Sequence, residues 1–239
     1  MKIVLDRPSV NDSLDYLLKY LKYDHNKRHI LFAYQLLNSL GLNRDIAAAD
    51  FGCGGAETLM LLDKLGFENV TAADYDEETL TKIRKIFKGR VEGVKVDFNE
   101  KLPFEDGALD LITAFEVVEH VVKAEFFLAE VNRVLKEGGY LIITTPNHSF
   151  YKSRTKALRG DRLGKEGVHY RFFTKEHFEE VLTGAGFVIE KRRSLGHLPL
   201  VDREPIRSVL RRKRVHHYVP ESLESLFAIN FVWLCRKGA

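Results

Sequence analysis

The sequence predicts an α/β fold in which a parallel sheet is covered by helices on both faces. Between residues 46 and 146, short apolar segments alternate with segments of helical periodicity, which is the pattern of a buried parallel sheet. A glycine-rich turn follows the first apolar segment, and an acidic residue ends each of the first three. The carboxyl ends of parallel strands meet at one edge of the sheet, so we expect a ligand site at that edge.

The remaining elements can be placed in order along the chain. The N-terminal segment 1–40 predicts two helices, because leucines recur at helical spacing and Gly41 is a helix-stop signal. The strands predicted for the centre of the sheet cover residues 46–50, 70–74, 94–98, 109–115 and 138–147. After them we expect a short helix over 151–158, a helix over 175–183 capped by Thr174, and two last strands at 187–190 and 226–234. The loop inserted between the last two strands, residues 195–225, is long for a hairpin, and such loops often bind ligands.

Length and composition limit the classes of function. With 239 residues, 45% of them hydrophobic and 30% charged, the chain predicts one soluble domain spanning 1–239. Its two cysteines, Cys53 and Cys235, form neither a zinc pattern nor a disulfide framework, so we expect a cytoplasmic location. The sequence predicts no signal peptide and no membrane span of roughly 18 apolar residues. A net charge of +3 is too small to indicate nucleic-acid binding by itself.

The first predicted strand runs into a tight turn and the start of a helix. Asp50 ends the strand, and the turn contains Gly52, Cys53 and Gly54. Glycines let the backbone approach a ligand closely, and a helix N-terminus offers free N–H groups, so the turn predicts a bound nucleoside. A dinucleotide fingerprint would need a third glycine where Glu57 stands, and a carboxylate there would repel a pyrophosphate.

Acidic residues end the next two predicted strands as well. Asp74 lies 24 residues after Asp50 (74 − 50), and an acid about 20 residues beyond a glycine turn is placed to accept hydrogen bonds from ribose hydroxyls. Asp97 ends the third strand. One aspartate at a strand end is most often a turn former or a helix cap. Three of them in register favour a shared ligand.

These motifs resemble those of the class I S-adenosylmethionine (SAM) methyltransferases of type 11 and type 23. Motif I of that family reads D-x-G-x-G-x-G, and the run from Asp50 matches it except that Ala56 replaces the last glycine. The segment HYRFFT at His169–Thr174, followed by a helix and by GAGF at Gly184–Phe187, is typical of type 23 members. The resemblance covers the chain from about residue 40 onward. It implies a Rossmann-like seven-stranded sheet in the order 3-2-1-4-5-7-6, with the last strand antiparallel.

The resemblance also implies SAM as cofactor, S-adenosylhomocysteine as product, and a set of contacts. Asp97 would cap the adenine amino group, and the backbone of Phe98 would meet the adenine ring. Arg28, at the start of the second N-terminal helix, would meet the carboxylate of the methionine moiety, although a solvated charge explains it equally well. The other cofactor-binding residues that we predict are Asp50, Gly52, Cys53, Gly54, Asp74, Tyr75 and Phe115.

Glu116, Glu119 and His120 follow the fourth predicted strand. If a helix begins at Glu116, the spacing i, i+3 and i+4 places all three side chains on one face beside the sulfonium. Methyl transfer to a hydroxyl needs a base, and His120 is the best candidate because imidazole titrates near neutral pH. Glu116 is the second residue that we predict to be catalytic.

Two other interpretations of this cluster stay open. His169 could reach over from the later loop and complete a divalent-metal site with Glu116, Glu119 and His120. The run E-x-x-E-H with a distant histidine resembles the metal-binding pattern of small-RNA 3′-terminal 2′-O-methyltransferases, and ubiquinone-pathway O-methyltransferases carry a similar run. Alternatively, Glu119 and His120 only cap a helix or hydrogen-bond the next loop.

The cluster favours a hydroxyl of a small molecule or glycan-type metabolite as the methyl acceptor. The alternative acceptor is the terminal ribose 2′-hydroxyl of RNA, with a divalent metal at the cluster and the basic stretch 191–217 against the phosphates. A charge run of this kind is more often a solvated face. An alternative of a different class is a non-catalytic nucleoside-binding domain.

Overall fold

The structure is a computed structural model, and it describes residues 28–161, 169–196 and 217–238. Its strands are β1 (Ala47–Phe51), β2 (Asn69–Asp74), β3 (Glu92–Lys95), β4 (Leu109–Phe115), β5 (Leu135–Pro146), β6 (Phe187–Gly196), β7 (His217–Tyr218) and β8 (Ala228–Lys237). Its α-helices are α1 (Arg28–Ser39), α2 (Glu57–Lys64), α3 (Glu77–Ile86), α4 (Ala124–Val134), α5 (Tyr151–Leu158), α6 (Lys175–Gly184) and α7 (Glu224–Phe227). Single 3₁₀ turns cover Val118–His120 and Glu221–Leu223.

The strands of the described residues form one sheet in the order β3-β2-β1-β4-β5-β8-β6-β7. Strands β1 to β5 are parallel, whereas β8 is antiparallel to both β5 and β6. The predicted fold class and strand order are therefore confirmed, because β6 and β8 are the sixth and seventh strands of that order. The two-residue strand β7 extends the sheet at its edge beyond β6.

Several predicted boundaries differ from the structure. Strand β3 ends at Lys95, so Asp97 lies two residues beyond it rather than at its end. The predicted loop 195–225 begins inside β6, which continues to Gly196, and α7 delays the last strand to Ala228. Of the two predicted N-terminal helices, the second is α1, and the first lies outside the described residues.

Local sequence explains where the central helices begin. The Asp76 carboxylate accepts hydrogen bonds from the backbone N–H groups of Glu78 and Thr79, at 3.2 and 3.0 Å, and so caps α3. The predicted cap Thr174 does the same for α6, because its hydroxyl oxygen accepts from the His177 N–H at 3.3 Å. Both caps fix the point where the chain leaves the ligand edge of the sheet.

The sheet separates two apolar cores, as the alternation of side chains along β1 requires. Ala49 and Phe51 belong to one core, with Trp233 and the residues of α4, and Ala48 belongs to the other, with the residues of α2. Phe51 pairs with Ala73 on β2 and with Ala114 on β4, so the carboxyl ends of these three strands lie side by side. The functional residues that follow them are therefore neighbours in space.

None of the helices in the described ranges is long and apolar enough to cross a membrane.

Candidate active site

The glycine turn after β1 is closed by a backbone hydrogen bond, and the Val117 side chain leaves no room for a Cβ at Gly52. The N–H of Gly52 donates to the carbonyl of Ala73 at 2.7 Å, and Gly52 has a φ of +74°. A Cβ at this position would lie 2.4 Å from Val117 Cγ2. Only glycine fits there, and the contact places the turn directly against the segment after β4. Ala56, the departure from motif I, also has a positive φ of 68°, where glycine would be unstrained.

Asp74 ties this turn to the end of β2. One carboxylate oxygen accepts from the N–H of Gly54 at 3.2 Å, and the other accepts from the N–H of Asp76 at 3.0 Å. The thiol of Cys53 lies 3.8 Å from Asp74 Oδ2, and burial raises the pKa of that thiol. The structure thus brings the predicted residues of the turn and Asp74 into one group.

The other predicted cofactor-binding residues differ in their exposure to solvent. Tyr75 is 73% exposed directly beside Asp74. Asp97 is exposed and accepts hydrogen bonds from the backbone and side chain of Asn99, while Phe98 is buried against Phe51, with ring centroids 5.7 Å apart. Phe115 is half-buried at the end of β4.

Arg28 begins α1, and its side chain lies outside the described part of the chain. Its predicted contact with the carboxylate of the methionine moiety therefore stays a prediction.

Asp50 is the buried acid of the site. The hydroxyl of Thr113 donates to one of its oxygens at 2.6 Å, and the other oxygen finds no hydrogen-bond partner among the described residues. Burial raises the pKa of Asp50 to about 7, the Thr113 hydrogen bond opposes the rise, and the nearby charge of Asp74 adds to it. Sequence reasoning alone gave no reason to single out Thr113.

We expect Asp50→Asn to stabilise the fold above neutral pH. Between about pH 4 and pH 7 the folded chain keeps a proton on Asp50 that the unfolded chain releases, so stability falls as pH rises toward 7. The shift of this group corresponds to a cost on the order of 4 kcal/mol above pH 7. Urea unfolding at pH 5 and pH 8 should show a larger gain for the variant at pH 8. The exposed Asp161→Asn is the control, and an equal gain at both pH values would contradict the expectation.

The segment after β4 does not form the predicted helix. Glu116 has a φ of +56°, which an α-helix cannot contain, and only a 3₁₀ turn over Val118–His120 follows before α4 begins at Ala124. The prediction that Glu116, Glu119 and His120 share a helical face is therefore wrong. The left-handed residue turns the chain sharply and sends the two carboxylates to different partners.

Glu116 is held by two donors from neighbouring strands. The hydroxyl of Thr144 donates to Oε1 at 2.8 Å, and the side-chain amide of Asn230 donates to Oε2 at 3.0 Å. The backbone N–H of Glu116 also donates to the carbonyl of Thr144 at 3.2 Å. Burial raises the pKa of Glu116 to about 6, and both side-chain hydrogen bonds oppose this rise.

Glu119, His120 and His169 form a second group beside it. Glu119 is fully buried, and its Oε1, which lacks a hydrogen-bond partner in the described ranges, lies 3.9 Å from His120 Nε2. The ring centroids of His120 and His169 are 4.7 Å apart. One potential ligand atom from each of the three residues lies within 4.8 Å of the others. Burial, and secondarily the charge of Glu116, raises the pKa of Glu119 well above its usual value.

Backbone hydrogen bonds fasten the later loop over this group. The N–H groups of Tyr170 and Arg171 both donate to the carbonyl of Glu119, at 2.9 and 3.1 Å. Arg171 also pairs with Glu125 at 2.5 Å. The structure thus places His169 next to Glu119 and His120, as the metal interpretation required, although these contacts do not by themselves indicate an ion.

Several residues of the site have no role in the predictions made from the sequence. Thr145 donates to Glu119 Oε2 at 3.2 Å, as Thr144 does to Glu116. Two adjacent polar residues inside a buried strand are a signal that could have indicated them. The ring of His148 lies 5.8 Å from that of His169, and burial lowers the pKa of His148 to about 4. Asn230 carries no local signal, because its partner lies 114 positions away in the sequence.

The fold and this site define an α/β protein with a glycine turn at the carboxyl edge of its parallel strands and an acid–imidazole cluster beside that turn. Comparison with known proteins agrees. The sequence model of a methyltransferase-domain family matches residues 49–143. A SAM-dependent methyltransferase of Mycobacterium tuberculosis is 30% identical over 177 residues, covering 72% of this chain and 59% of the relative. The ubiquinone biosynthesis O-methyltransferase of Mesorhizobium japonicum is 31% identical over 169 residues, or 64% of either chain.

Solved structures share the fold. A methyltransferase of Bacillus halodurans has a TM-score of 0.60 at 18% identity, covering 86% of this chain and 98% of that one. The Haloferax volcanii methyltransferase in complex with the Trm112 methyltransferase activator has a TM-score of 0.63 at 16% identity, covering 98% and 100%. The chain belongs to the class I SAM-dependent methyltransferase family. It spans 59% of the length of the Mycobacterium relative, so the activity and the acceptor of the whole protein are proposals.

Proposed function

We propose that this protein transfers the methyl group of SAM to a hydroxyl of a small molecule or glycan-type metabolite. The observation that carries the proposal is the contact between the glycine turn and the segment after β4. A Cβ on Gly52 would meet Val117 at 2.4 Å, so the cofactor turn and the Glu119–His120–His169 group are adjacent. The cytoplasmic location and the single domain over 1–239 stay predictions.

The chain's own residues can supply what this reaction needs. Asp74 and the glycine turn would fix the nucleoside, so that the sulfonium methyl faces the acceptor oxygen in line. Such positioning can remove roughly 7–11 kcal/mol at best from the barrier. His120 would accept the hydroxyl proton as the acceptor attacks. The buried Glu119 lies beside the His120 ring, where its carboxyl group can orient the imidazole.

A divalent metal is an alternative use of this cluster, because a His120 that binds an ion cannot also accept the acceptor proton. Glu119, His120 and His169 are the residues that would hold it, because a carboxylate with two imidazoles suits Zn²⁺, Co²⁺ or Mn²⁺. The buried Glu119 Oε1, for which the described ranges offer no hydrogen-bond donor, supports such an ion. When bound, the ion would supply a Lewis acid that lowers the pKa of an acceptor hydroxyl.

The contacts of the basic stretch do not favour RNA as the acceptor. Within its described part, Lys191 donates to the hydroxyl of Ser39 at 3.0 Å, and Arg192 pairs with Glu179 and lies over the Trp233 ring. Residues 197–216 of the stretch lie outside the described residues. The charge of Glu116 would also repel a phosphate near the reacting atoms.

A methyl-transfer assay with tritiated SAM tests the proposal. Label should move into a small-molecule or glycan fraction of a cell extract and not into the RNA or protein fractions. An Asp74→Ala protein is the control, because it should bind the cofactor poorly and transfer little label. Label in RNA alone would show that RNA, and not a small molecule or glycan, is the acceptor. Label in protein alone would contradict both the small-molecule and the RNA proposals.

A further inference from the structure

The two glutamates of the site have different partners, although both lie in the run after β4. Glu119 has an oxygen without a hydrogen-bond partner among the described residues, and this oxygen lies beside the His120 ring. Glu116 has a donor on each oxygen, Thr144 at 2.8 Å and Asn230 at 3.0 Å. Its oxygens also lie outside the group of three residues whose ligand atoms are within 4.8 Å of one another.

The backbone reinforces this separation. Glu116 has a φ of +56°, and its N–H donates to both the carbonyl and the hydroxyl of Thr144, at 3.2 and 3.0 Å. A left-handed glutamate held at both its backbone and its carboxylate cannot turn toward the imidazoles without losing these bonds. Hydrogen bonds to a charged group are worth roughly 1.5–3 kcal/mol each, so the release of Glu116 would be costly.

We infer that Glu116 is withheld from metal binding by Thr144 and Asn230, so that an ion in this site has three protein ligands: Glu119, His120 and His169. The inference rests on the metal part of the proposed function and departs from a four-ligand site. Metal sites that act in catalysis commonly keep three protein ligands and an open position, which here would admit an acceptor oxygen. An ion with one carboxylate and two neutral imidazoles retains a net charge of about +1, whereas a second carboxylate would cancel it. The three-ligand site therefore polarises a bound hydroxyl more strongly.

Titration of the purified protein with Co²⁺, followed by visible absorption, tests the inference without any acceptor. We expect Glu116→Gln to bind Co²⁺ within about threefold of wild type, and Glu119→Gln and His169→Asn to weaken binding by at least about tenfold. Asn230→Leu, which frees Glu116 Oε2, should not weaken binding. Asn132→Leu, a change in α4, is the matched control.

The outcomes separate the inference from the proposed function. If Glu116→Gln weakens Co²⁺ binding as much as Glu119→Gln does, Glu116 is a ligand and the inference is overturned. The metal part of the proposed function would then still hold. If wild type binds no Co²⁺, both the inference and the metal part of the proposal fail, and the tritium assay still decides on methyl transfer. Thermal unfolding of each variant shows whether it is folded. If Glu119→Gln is not folded, His169→Asn takes its place as the variant that lacks a ligand.

Discussion

Asp74→Ala should abolish useful cofactor binding, with a loss of at least about 100-fold in affinity for S-adenosylhomocysteine. The carboxylate fixes the N–H groups of Gly54 and Asp76 at 3.2 and 3.0 Å, and the proposed ribose contact adds further bonds. Bonds to a charged acceptor are worth roughly 1.5–3 kcal/mol each, and about 1.4 kcal/mol is tenfold in affinity. Isothermal titration calorimetry measures the change directly.

Two further variants control this experiment. Asp74→Asn keeps the volume of the side chain but replaces one acceptor oxygen with a donor, so it should also weaken binding. Asp63→Ala removes an aspartate of α2 that pairs with Arg90, and it should leave the affinity unchanged. If Asp74→Ala, shown to be folded by circular dichroism, binds within threefold of wild type, Asp74 does not hold the cofactor.

His120→Asn should reduce kcat by about 10²- to 10⁴-fold, which is the usual contribution of a positioned base. Binding of S-adenosylhomocysteine should stay within about threefold of wild type, because the proposed nucleoside contacts come from the glycine turn and Asp74. Steady-state assays with the acceptor fraction found by the tritium assay give kcat, and calorimetry gives the affinity.

His177→Asn is the matched control for the base. His177 lies on α6 and packs against Phe173, with ring centroids 5.3 Å apart. That variant should keep kcat. A folded His120→Asn protein with nearly normal kcat would show that another group takes the proton, and a parallel loss of cofactor affinity would show a structural role.

The sequence predicts the geometry of the glycine turn and its neighbouring strand ends much better than that of the segment after β4. Asp50, the glycines and Asp74 are close in the sequence to the strand ends that carry them, and strand ends in a parallel sheet have one geometry. The turn after β4 has no such constraint, because the left-handed Glu116 is imposed by hydrogen bonds from Thr144 and Asn230. Helical spacing therefore predicted the wrong arrangement.

Long-range contacts also explain which partners were missed. Asn230 belongs to β8, whose register against β5 places it opposite Pro146. No local sequence pattern indicates that strand register. Ligand chemistry and a resemblance indicate His169 as a candidate, but its position depends on the backbone bonds that Tyr170 and Arg171 make to the Glu119 carbonyl.

The donors that hold the two glutamates come from a part of the chain that the family match does not reach. The match ends at residue 143, whereas Thr144, Thr145, His169 and Asn230 all follow it. The matched segment thus contains the Glu116, Glu119 and His120 side chains themselves, whereas the donors from Thr144, Thr145 and Asn230 follow it. Substitutions at these later positions would therefore redirect the two glutamates while leaving the matched segment unchanged.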